Sequence, residues 1–333
     1  MLTETLPRFP LAYVPTPIEE LPRLRAVLAD ELPAFPVPRL LVKRDDQTGL
    51  AAGGNKTRKL EYLVADALNQ GADVLITAGA PQSNHCRQTA AAAARAGLRA
   101  VLVLGGAAPR LEGGNLLLDR LLGAELVWAG QRDRVQVMAK TAGKLRAAGH
   151  KPYVVPYGGS NALGAAAYAA ALEELAQQAA ASSQRIDHIA VATSSGGTQA
   201  GLAVGAWALD WPGQIHGISV DRPAAEFKPA LAALASATAE RLGRAHVFSP
   251  DDFIVHDAYL GGGYGVLGQI EREAIALLAR HEGLLLDPVY TGRALAGLID
   301  LIRQSQFHED ETVLFWHTGG LPALFAYGRE LAF

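Results

Sequence analysis

Short apolar runs alternate along the chain with longer segments in which apolar residues recur every three or four positions. This spacing predicts helices over residues 57–70, 83–96 and 199–209, and Gly71 and Gly97 are placed to end the first two. Apolar runs predict strands over residues 40–43, 74–77 and 100–104, and further strands around Val127, Tyr153, Ile189, Ile215 and Val313. The alternation predicts an α/β protein with mainly parallel sheets.

Several loops between these elements are rich in glycine and small polar residues. Ligands of parallel sheets bind beyond the carboxyl ends of the strands, so such loops are the first places to look for a site. The loops that stand out are residues 53–56, 80–85, 193–198, 261–265 and 317–320. This clustering is unusual for turns that only connect elements.

Length, composition and charge narrow the class of protein. The 333 residues exceed the usual size of one domain, so two domains are expected. The net charge is −3 and no basic stripe occurs, so nucleic acid is not an expected partner. No apolar run reaches the roughly 18 residues of a membrane span, and the N-terminal residues lack a signal-peptide pattern. The single Cys86 rules out an intrachain disulfide and fits a reducing compartment, so the protein is expected to be cytoplasmic if it is bacterial. No metal site is expected.

Residues 193–198 follow a predicted strand and precede a predicted helix. Small side chains there let backbone N–H groups turn inward, and the helix N-terminus adds partial positive charge, which together suit a phosphate. The alternative is an ordinary turn in which Ser and Thr cap the helix. A second loop, residues 158–164, faintly resembles a dinucleotide fingerprint but lacks its glycine spacing, so nicotinamide or flavin binding is not favoured.

Lys56 opens a predicted helix directly after two glycines and an asparagine. A lysine is poorly placed at this end of the helix dipole, and Arg58 and Lys59 follow in the same turn. A lysine held beside other cations has a lowered pKa, which suits an amine nucleophile. A solvated surface lysine is the alternative, and Lys59 is the rival candidate for a catalytic lysine.

The remaining candidate site residues are three polar residues at the start of another predicted helix and two tyrosines in loops. Ser83 or Asn84 can cap the helix, and the exposed N–H groups beside them suit a carboxylate; His85 is structural or catalytic. Tyr264 lies among four glycines and Tyr290 follows an Asp-Pro-Val sequence. A phenol at such a loop can donate or accept a proton, or it can simply lie at a loop edge.

These segments together resemble a known family. They include Arg8-Phe9-Pro10-Leu11, Pro15-Thr16-Pro17-Ile18, the run from Gly53 to Leu63, Gln82-Ser83-Asn84, Asp287-Pro288-Val289-Tyr290 and His317-Thr318-Gly319-Gly320. Nearly end to end, the chain resembles the D-cysteine desulfhydrase and 1-aminocyclopropane-1-carboxylate (ACC) deaminase family of pyridoxal-phosphate (PLP) enzymes, which have the tryptophan-synthase-β-like fold called fold type II. The run that contains Lys56 is its most specific part.

The resemblance implies a role for each candidate residue. Lys56, rather than Lys59, is the lysine that forms the Schiff base with PLP and then acts as the base at Cα. Ser83 and Asn84 lie near the substrate carboxylate and the cofactor ring oxygen, and Ser83 is also a catalytic candidate. His85 and Thr291 are the further residues expected to bind the substrate. The resemblance places the phosphate against Ser195, Gly196, Gly197 and Thr198, and it assigns active-site tyrosines to Tyr264 and Tyr290.

Two threonines favour one branch of the family. ACC deaminases carry Glu and Leu at the positions of Thr291 and Thr318, whereas the D-cysteine desulfhydrase branch carries threonine, and His85 also resembles that branch. Thr318 is the candidate partner of the pyridine nitrogen, because a hydroxyl can donate to a neutral nitrogen. The expected reaction is β-elimination from D-cysteine to pyruvate, hydrogen sulfide and ammonia. ACC deaminase, L-cysteate sulfo-lyase and a non-catalytic PLP-binding protein stay open as alternatives.

The resemblance also implies an architecture. It predicts two three-layer α/β/α domains with mainly parallel sheets and the cofactor between them. The small domain is expected to comprise residues 57–161, and the large PLP-binding domain residues 1–56 together with 162–333. A small amino acid is the expected substrate, and a homodimer is the expected assembly.

Overall fold

The periodic segments of the sequence form helices and strands close to their predicted bounds. A computed structural model describes residues 1–33, 37–110 and 113–331. In these ranges the strands are Ile18–Glu20 (β1), Arg39–Lys43 (β2), Val74–Gly79 (β3), Arg99–Leu104 (β4), Glu125–Trp128 (β5), Pro152–Val154 (β6), His188–Thr193 (β7), Gln214–Ser219 (β8), Ile254–His256 (β9) and Thr312–Trp316 (β10). The helices are Pro22–Glu31 (α1), Lys56–Asn69 (α2), Asn84–Ala96 (α3), Asn115–Leu121 (α4), Arg134–Ala147 (α5), Ala162–Ala181 (α6), Gly197–Ala208 (α7), Ala224–Arg241 (α8), Gln269–Glu282 (α9), Thr291–Arg303 (α10) and Leu321–Leu324 (α11).

The strands form two sheets. One has six strands in the order β1-β2-β10-β7-β8-β9, and its pairs are parallel except for β1 with β2. The other has four parallel strands in the order β5-β4-β3-β6. The predicted α/β class with mainly parallel sheets is therefore confirmed.

Helices cover both faces of each sheet, as the predicted three-layer arrangement requires. Because side chains alternate along a strand, Val313 and Phe315 pack with helices α1, α9 and α10, whereas Leu314 packs with α6 and α7 on the other face. In the four-stranded sheet, Leu102 packs with α2 and α3, and Val101 packs with α5. Burial on both faces explains why these strands appear in the sequence as continuous apolar runs.

The strands of the smaller sheet lie within residues 57–161, and those of the larger sheet lie outside this range. The division of the chain into domains at these boundaries stays a prediction. Buried ion pairs cross it: Arg58 contacts Asp45 and Glu174, both at 2.8 Å. In the described residues, none of the helices combines the length and the apolar character that crossing a bilayer requires.

Three histidines form a line across adjacent strands of the larger sheet. His188 Nδ1 lies 3.1 Å from His216 Nε2, and His216 Nδ1 lies 3.0 Å from His256 Nε2. Glu311 lies at the His188 end, 3.2 Å from its Nε2. Burial, followed by the charges of His256 and His188, lowers the pKa of His216 to about 3. His216 is therefore neutral in the folded protein at pH 7.

Stability is expected to fall as the pH falls from about 6.5 toward 3. The unfolded chain binds a proton at His216 near its ordinary pKa of 6.5, whereas the folded chain does not, so acid favours unfolding. One such group contributes up to about 1.4 kcal/mol per pH unit in this window. Urea unfolding measured between pH 4.5 and 7 should therefore give a shallower pH dependence for His216→Asn than for the wild type. Equal slopes for the two proteins would contradict this assignment.

Candidate active site

A cavity opens at the carboxyl ends of strands from both sheets. Its walls come from the loops that follow β3 and β6 in the smaller sheet and β7 and β10 in the larger one. The lining residues are Asn55, Lys56, Ser83, Asn84, His85, Tyr157, Gly158, Ala192, Thr193, Ser194, Ser195, Gly196, Thr198, Tyr290 and Thr318. Four of the five loops singled out by composition therefore meet here, as the rule for parallel sheets predicts, whereas residues 261–265 do not line the cavity.

Lys56 is the first residue of α2, and its side chain lines the cavity. Within the described residues, its amine makes no hydrogen bond or ion pair. Burial lowers the pKa of Lys56 to about 8. The direction of this shift agrees with the sequence-based expectation, but its expected cause, the neighbouring cations, is wrong. Arg58 is neutralised by two carboxylates, so burial alone makes the amine easier to deprotonate.

Lys59 does not line the cavity. Its side chain is fully buried, with Nζ 3.2 Å from Ser160 Oγ and 3.4 Å from the carbonyl oxygen of Gly158. Burial, followed by the charge of Lys56, holds the pKa of Lys59 well below its ordinary value. Of the two rival lysines, Lys56 is the one that a ligand in the cavity can reach.

The start of α3 brings three polar side chains to the cavity. Ser83 caps the helix, since its Oγ accepts a hydrogen bond from the Cys86 N–H at 3.1 Å. Asn84 Oδ1 accepts from Asn115 at 2.8 Å, which fixes the amide. His85 lies with Nε2 2.9 Å from Thr77 Oγ1. Burial, followed by the charges of the nearby lysines, keeps the pKa of His85 well below 6.5, so the ring is neutral.

The loop after β7 leads into α7 and forms the opposite wall. Gly196 has a φ of +88°, a left-handed conformation that favours glycine. Ser195 Oγ lies 2.8 Å from Ser160 Oγ, and Thr198 Oγ1 accepts from Asn55 Nδ2 at 3.0 Å. Gly197 does not line the cavity; its N–H donates to Ser160 Oγ at 3.1 Å. Ser160, in the glycine loop at residues 158–164, thus supports this wall of the cavity. The loop has a structural role here and does not need a bound dinucleotide to account for it.

Two tyrosines meet beside the cavity. Tyr264 Oη and Tyr290 Oη lie 2.6 Å apart, and Tyr290 lines the cavity whereas Tyr264 lies behind it. Burial is the main cause that raises the pKa of both phenols. Both side chains therefore keep their protons, and one hydroxyl donates to the other.

The two threonines used to choose a branch have different surroundings. Thr318 lines the cavity, and its carbonyl oxygen accepts from the Asn55 N–H at 3.0 Å. Thr291 is fully buried as the first residue of α10 and does not line the cavity. Its hydroxyl lies 2.8 Å from Asp287 Oδ1, so Thr291 holds this carboxylate instead of facing a ligand.

Sequence reasoning missed Tyr157 and Asn55 as site residues. Tyr157 precedes two glycines beyond β6 and lines the cavity, as does Asn55, which precedes Lys56. The signal that singled out Tyr264, a tyrosine beside glycines in a loop after a strand, also applies to Tyr157. Asn55 is part of the loop that was singled out, but its bond to Thr198 depends on the fold.

The model of a protein family described as pyridoxal-phosphate-dependent enzymes matches residues 10–319 of the chain. The chain belongs to this family of PLP-dependent enzymes. A D-cysteine desulfhydrase of Klebsiella pneumoniae (strain 342) is 45% identical, with 99% of this chain and all of the relative aligned. One of Salmonella choleraesuis (strain SC-B67) is 46% identical over 96% of both chains.

Solved structures of PLP-dependent enzymes have the same fold. A crystal structure described as an ACC deaminase homologue is 40% identical, with a TM-score of 0.88 over 99% of this chain and 97% of that one. A threonine deaminase of Solanum lycopersicum has a TM-score of 0.67 at 16% identity, over 96% and 83% of the two chains, and shows the fold alone. The tryptophan-synthase-β-like architecture is thus confirmed.

The cavity of this PLP-dependent enzyme fits its cofactor. It holds an accessible amine at Lys56 and, at the start of α7, a helix N-terminus that suits a phosphate. A methyl group built on Gly158 would lie 2.3 Å from Ser195 Oγ and 3.5 Å from Lys56 Nζ, so the amine and the loop are close together. Within the described residues, the buried Thr193 Oγ1 makes no hydrogen bond, which leaves a polar atom of the cavity wall for a ligand.

Proposed function

We propose that this enzyme is a D-cysteine desulfhydrase, which converts D-cysteine and water into pyruvate, hydrogen sulfide and ammonia. The observation that carries the proposal is Lys56, a cavity amine with a pKa near 8, in a chain that is 45% identical to a D-cysteine desulfhydrase over nearly its whole length. An amine with this pKa exchanges protons readily near neutral pH, as a base at Cα must. Thr318 lines the cavity, and a threonine at this position supports the D-cysteine desulfhydrase branch of the family.

Each part of the cofactor has a matching group in the cavity. Lys56 would hold PLP covalently, and Asn84 would bind its ring oxygen. The phosphate would lie at the start of α7, against Ser195, Gly196 and Thr198, with Gly197 behind them. Thr318 would donate to the ring nitrogen. When bound, PLP supplies an electron sink for the carbanion at Cα. A hydroxyl partner such as Thr318 would favour a neutral ring nitrogen, which is a weaker electron sink but would be sufficient for the elimination of a good leaving group.

The substrate carboxylate would bind at the start of α3. Ser83 and Asn84 line the cavity there, and the helix N-terminus favours an anion. The neutral His85 is the neighbouring polar contact. In the same cavity, the Lys56 amine would remove the Cα proton when it is not bonded to the cofactor, and the Tyr264–Tyr290 pair would provide a phenolic proton for the departing sulfur.

Thr291 acts through Asp287 in this proposal, since its hydroxyl is bonded to that carboxylate and lies outside the cavity lining. The threonine keeps the start of α10 and Tyr290 in place, because Asp287 also accepts from the Tyr290 N–H at 3.1 Å. Thr291 would therefore affect the substrate only indirectly, without contacting it.

Product analysis with four substrates tests the proposal. Purified protein with PLP is given D-cysteine, L-cysteine or L-cysteate while pyruvate is followed, and ACC while α-ketobutyrate is followed. We expect pyruvate from D-cysteine at a rate at least about tenfold above the other three, the discrimination that a modest difference in substrate contacts gives. Turnover of L-cysteate or ACC in its place would assign the enzyme to that activity. Protein that binds PLP but converts none of the four would be a non-catalytic PLP-binding protein.

We also propose that the enzyme acts in the cytoplasm as a homodimer with a small domain of residues 57–161. The free, buried Cys86 supports a reducing compartment. Confinement of the four-stranded sheet to residues 57–161 supports the domain division.

A further inference from the structure

We propose that Gln88 and Arg87 are positioning residues that tie Lys56 to the helix that binds the substrate carboxylate. The inference deepens the proposed function and rests on it for the identity of the carboxylate site. Neither residue lines the cavity, and both are fully buried on α3. They would act on the reaction through Lys56, by fixing its place and its pKa.

Gln88 caps the helix that Lys56 opens. The residue before that helix, Asn55, makes no capping hydrogen bond through its side chain. Gln88 Oε1 accepts instead from the N–H of Thr57 at 2.7 Å and from Thr57 Oγ1 at 2.8 Å. The first N–H groups of a helix have no partner within it, so an acceptor from elsewhere must satisfy them. The Thr57 N–H also reaches the Gly54 carbonyl oxygen at 3.2 Å, so Gln88 is the closer of its two acceptors; it comes from α3 and is bonded to the neighbour of Lys56.

Arg87 holds the loop that leads into Lys56. Residues 51–54 all have φ values between +44° and +122°, a left-handed run that includes Ala51 and Ala52. Such a conformation persists in alanine only where the surroundings enforce it. Arg87 Nη1 donates to the carbonyl oxygens of Ala51 and, at 3.1 Å, Gly53. One buried guanidinium therefore fixes the strained loop from α3.

The first two turns of α3 therefore contribute to the site in two ways, by lining the cavity and by holding the segment that leads into Lys56. Ser83, Asn84 and His85 line the cavity, and Arg87 and Gln88 hold residues 51–57. A helix rises about 1.5 Å per residue, so these groups are about 7 Å apart on a rigid element. The distance between the carboxylate site and the amine of Lys56 is thus set by α3 itself, and not by a flexible connection.

Loss of the Gln88 bonds is expected to raise the pKa of Lys56. Burial is the cause of its lowered pKa, and a first turn of α2 that keeps only the longer bond to Gly54 is loosened and lets water approach the amine. The prediction is an upward shift of about one pH unit toward the ordinary lysine value. A residue that only stabilises the protein would not move the pKa of Lys56 in the folded state.

The test compares Gln88→Leu with a matched control, Gln178→Leu. Gln178 lies on α6, away from the cavity lining, and its amide bonds to the Thr16 carbonyl oxygen at 2.9 Å and also to Lys43. The rate at which cofactor-stripped protein captures PLP covalently at Lys56 is measured from pH 6 to 10, with borohydride trapping and mass spectrometry. We expect the midpoint pH of PLP capture to be higher in Gln88→Leu than in the wild type and to be unchanged in Gln178→Leu.

Turnover of D-cysteine gives a second readout. In Gln88→Leu with PLP, kcat should fall about 10- to 100-fold while KM changes less than about threefold, because the base is misplaced and the carboxylate site is intact. Arg87→Met should behave in the same way. Arg87→Lys keeps a donor for the loop carbonyl oxygens and should recover most of kcat. If Gln88→Leu does not fold, the comparison of Arg87→Lys with Arg87→Met tests the inference instead.

Three results would overturn the inference. They are an unchanged midpoint in folded Gln88→Leu, an equal shift in Gln178→Leu, and no recovery in Arg87→Lys relative to Arg87→Met. PLP capture needs no substrate, so it separates the inference from the proposed function. A shifted midpoint in an enzyme that does not convert D-cysteine would support the link between Gln88 and Lys56 and reject D-cysteine as the substrate.

Discussion

Replacing Lys56 with alanine is expected to abolish covalent capture of PLP and to lower pyruvate release from D-cysteine at least about 10³-fold. Lys56 lines the cavity, and burial brings the pKa of its amine to about 8. Alanine removes both the group that would hold the cofactor and the base at Cα. Borohydride trapping followed by mass spectrometry measures the first effect, and a coupled assay of pyruvate measures the second.

Lys59→Met is the matched control for this experiment. Lys59 lies on the same turn of α2, is fully buried and does not line the cavity. Its pKa is held well below the ordinary value by burial and by the charge of Lys56, so an uncharged side chain of similar length suits the space. The Lys59→Met protein should still capture PLP at residue 56. Turnover retained in Lys56→Ala, or PLP trapped on residue 59 in the wild type, would contradict the assignment.

Replacing Arg58 with methionine is expected to lower the free energy of unfolding by about 3–5 kcal/mol. Arg58 binds Asp45 and Glu174, and Asp45 also accepts from Tyr168 at 2.6 Å and from Trp316 at 2.8 Å. Burial by itself would raise the pKa of Asp45, yet the charge and hydrogen bonds of Arg58, together with Tyr168, hold it below its usual value. Without Arg58, buried carboxylates lose their main counter-ion. Urea unfolding at pH 7 measures the loss.

Arg303→Met is the control for the stability experiment. Arg303 also contacts two carboxylates, Glu31 at 2.8 Å and Glu273 at 2.6 Å, but its side chain is 31% exposed. Water and salt screen such a pair, so its loss should cost at most about 1 kcal/mol. Comparable losses in the two variants would mean that burial of the Arg58 network does not set its contribution.

Much of the fold could be predicted from local patterns. The apolar run at residues 100–104 and the helix ended by Gly97 depend on neighbours along the chain, and both elements lie where they were predicted. Glycine and small residues at 193–198 marked a loop at the end of a strand for the same local reason. The segment around Lys56 indicated the family because residues 53–63 match the family's pattern over one uninterrupted stretch.

Contacts between distant segments could not be predicted in this way. Thr291 and Thr318 both appeared to face a ligand, but only Thr318 lines the cavity, since the hydroxyl of Thr291 bonds to Asp287. Tyr157 reaches the cavity from the loop after β6, and Tyr264 meets Tyr290 across 26 positions of sequence. Side-chain direction at these positions depends on which elements pack together.

The sequence by itself determined the α/β class, the order of strands and helices, and the loops that carry the chemistry, because periodicity and turn residues act over a few positions. The resemblance had already named Lys56, but only the tertiary structure showed that its amine lines the cavity and why its pKa is low. Arg58 and Lys59 are neighbours of Lys56 in sequence, but the fold directs one to buried carboxylates and the other into the core. Burial is a property of the whole packed chain, and this is the physical reason that the neighbouring residues did not reveal it.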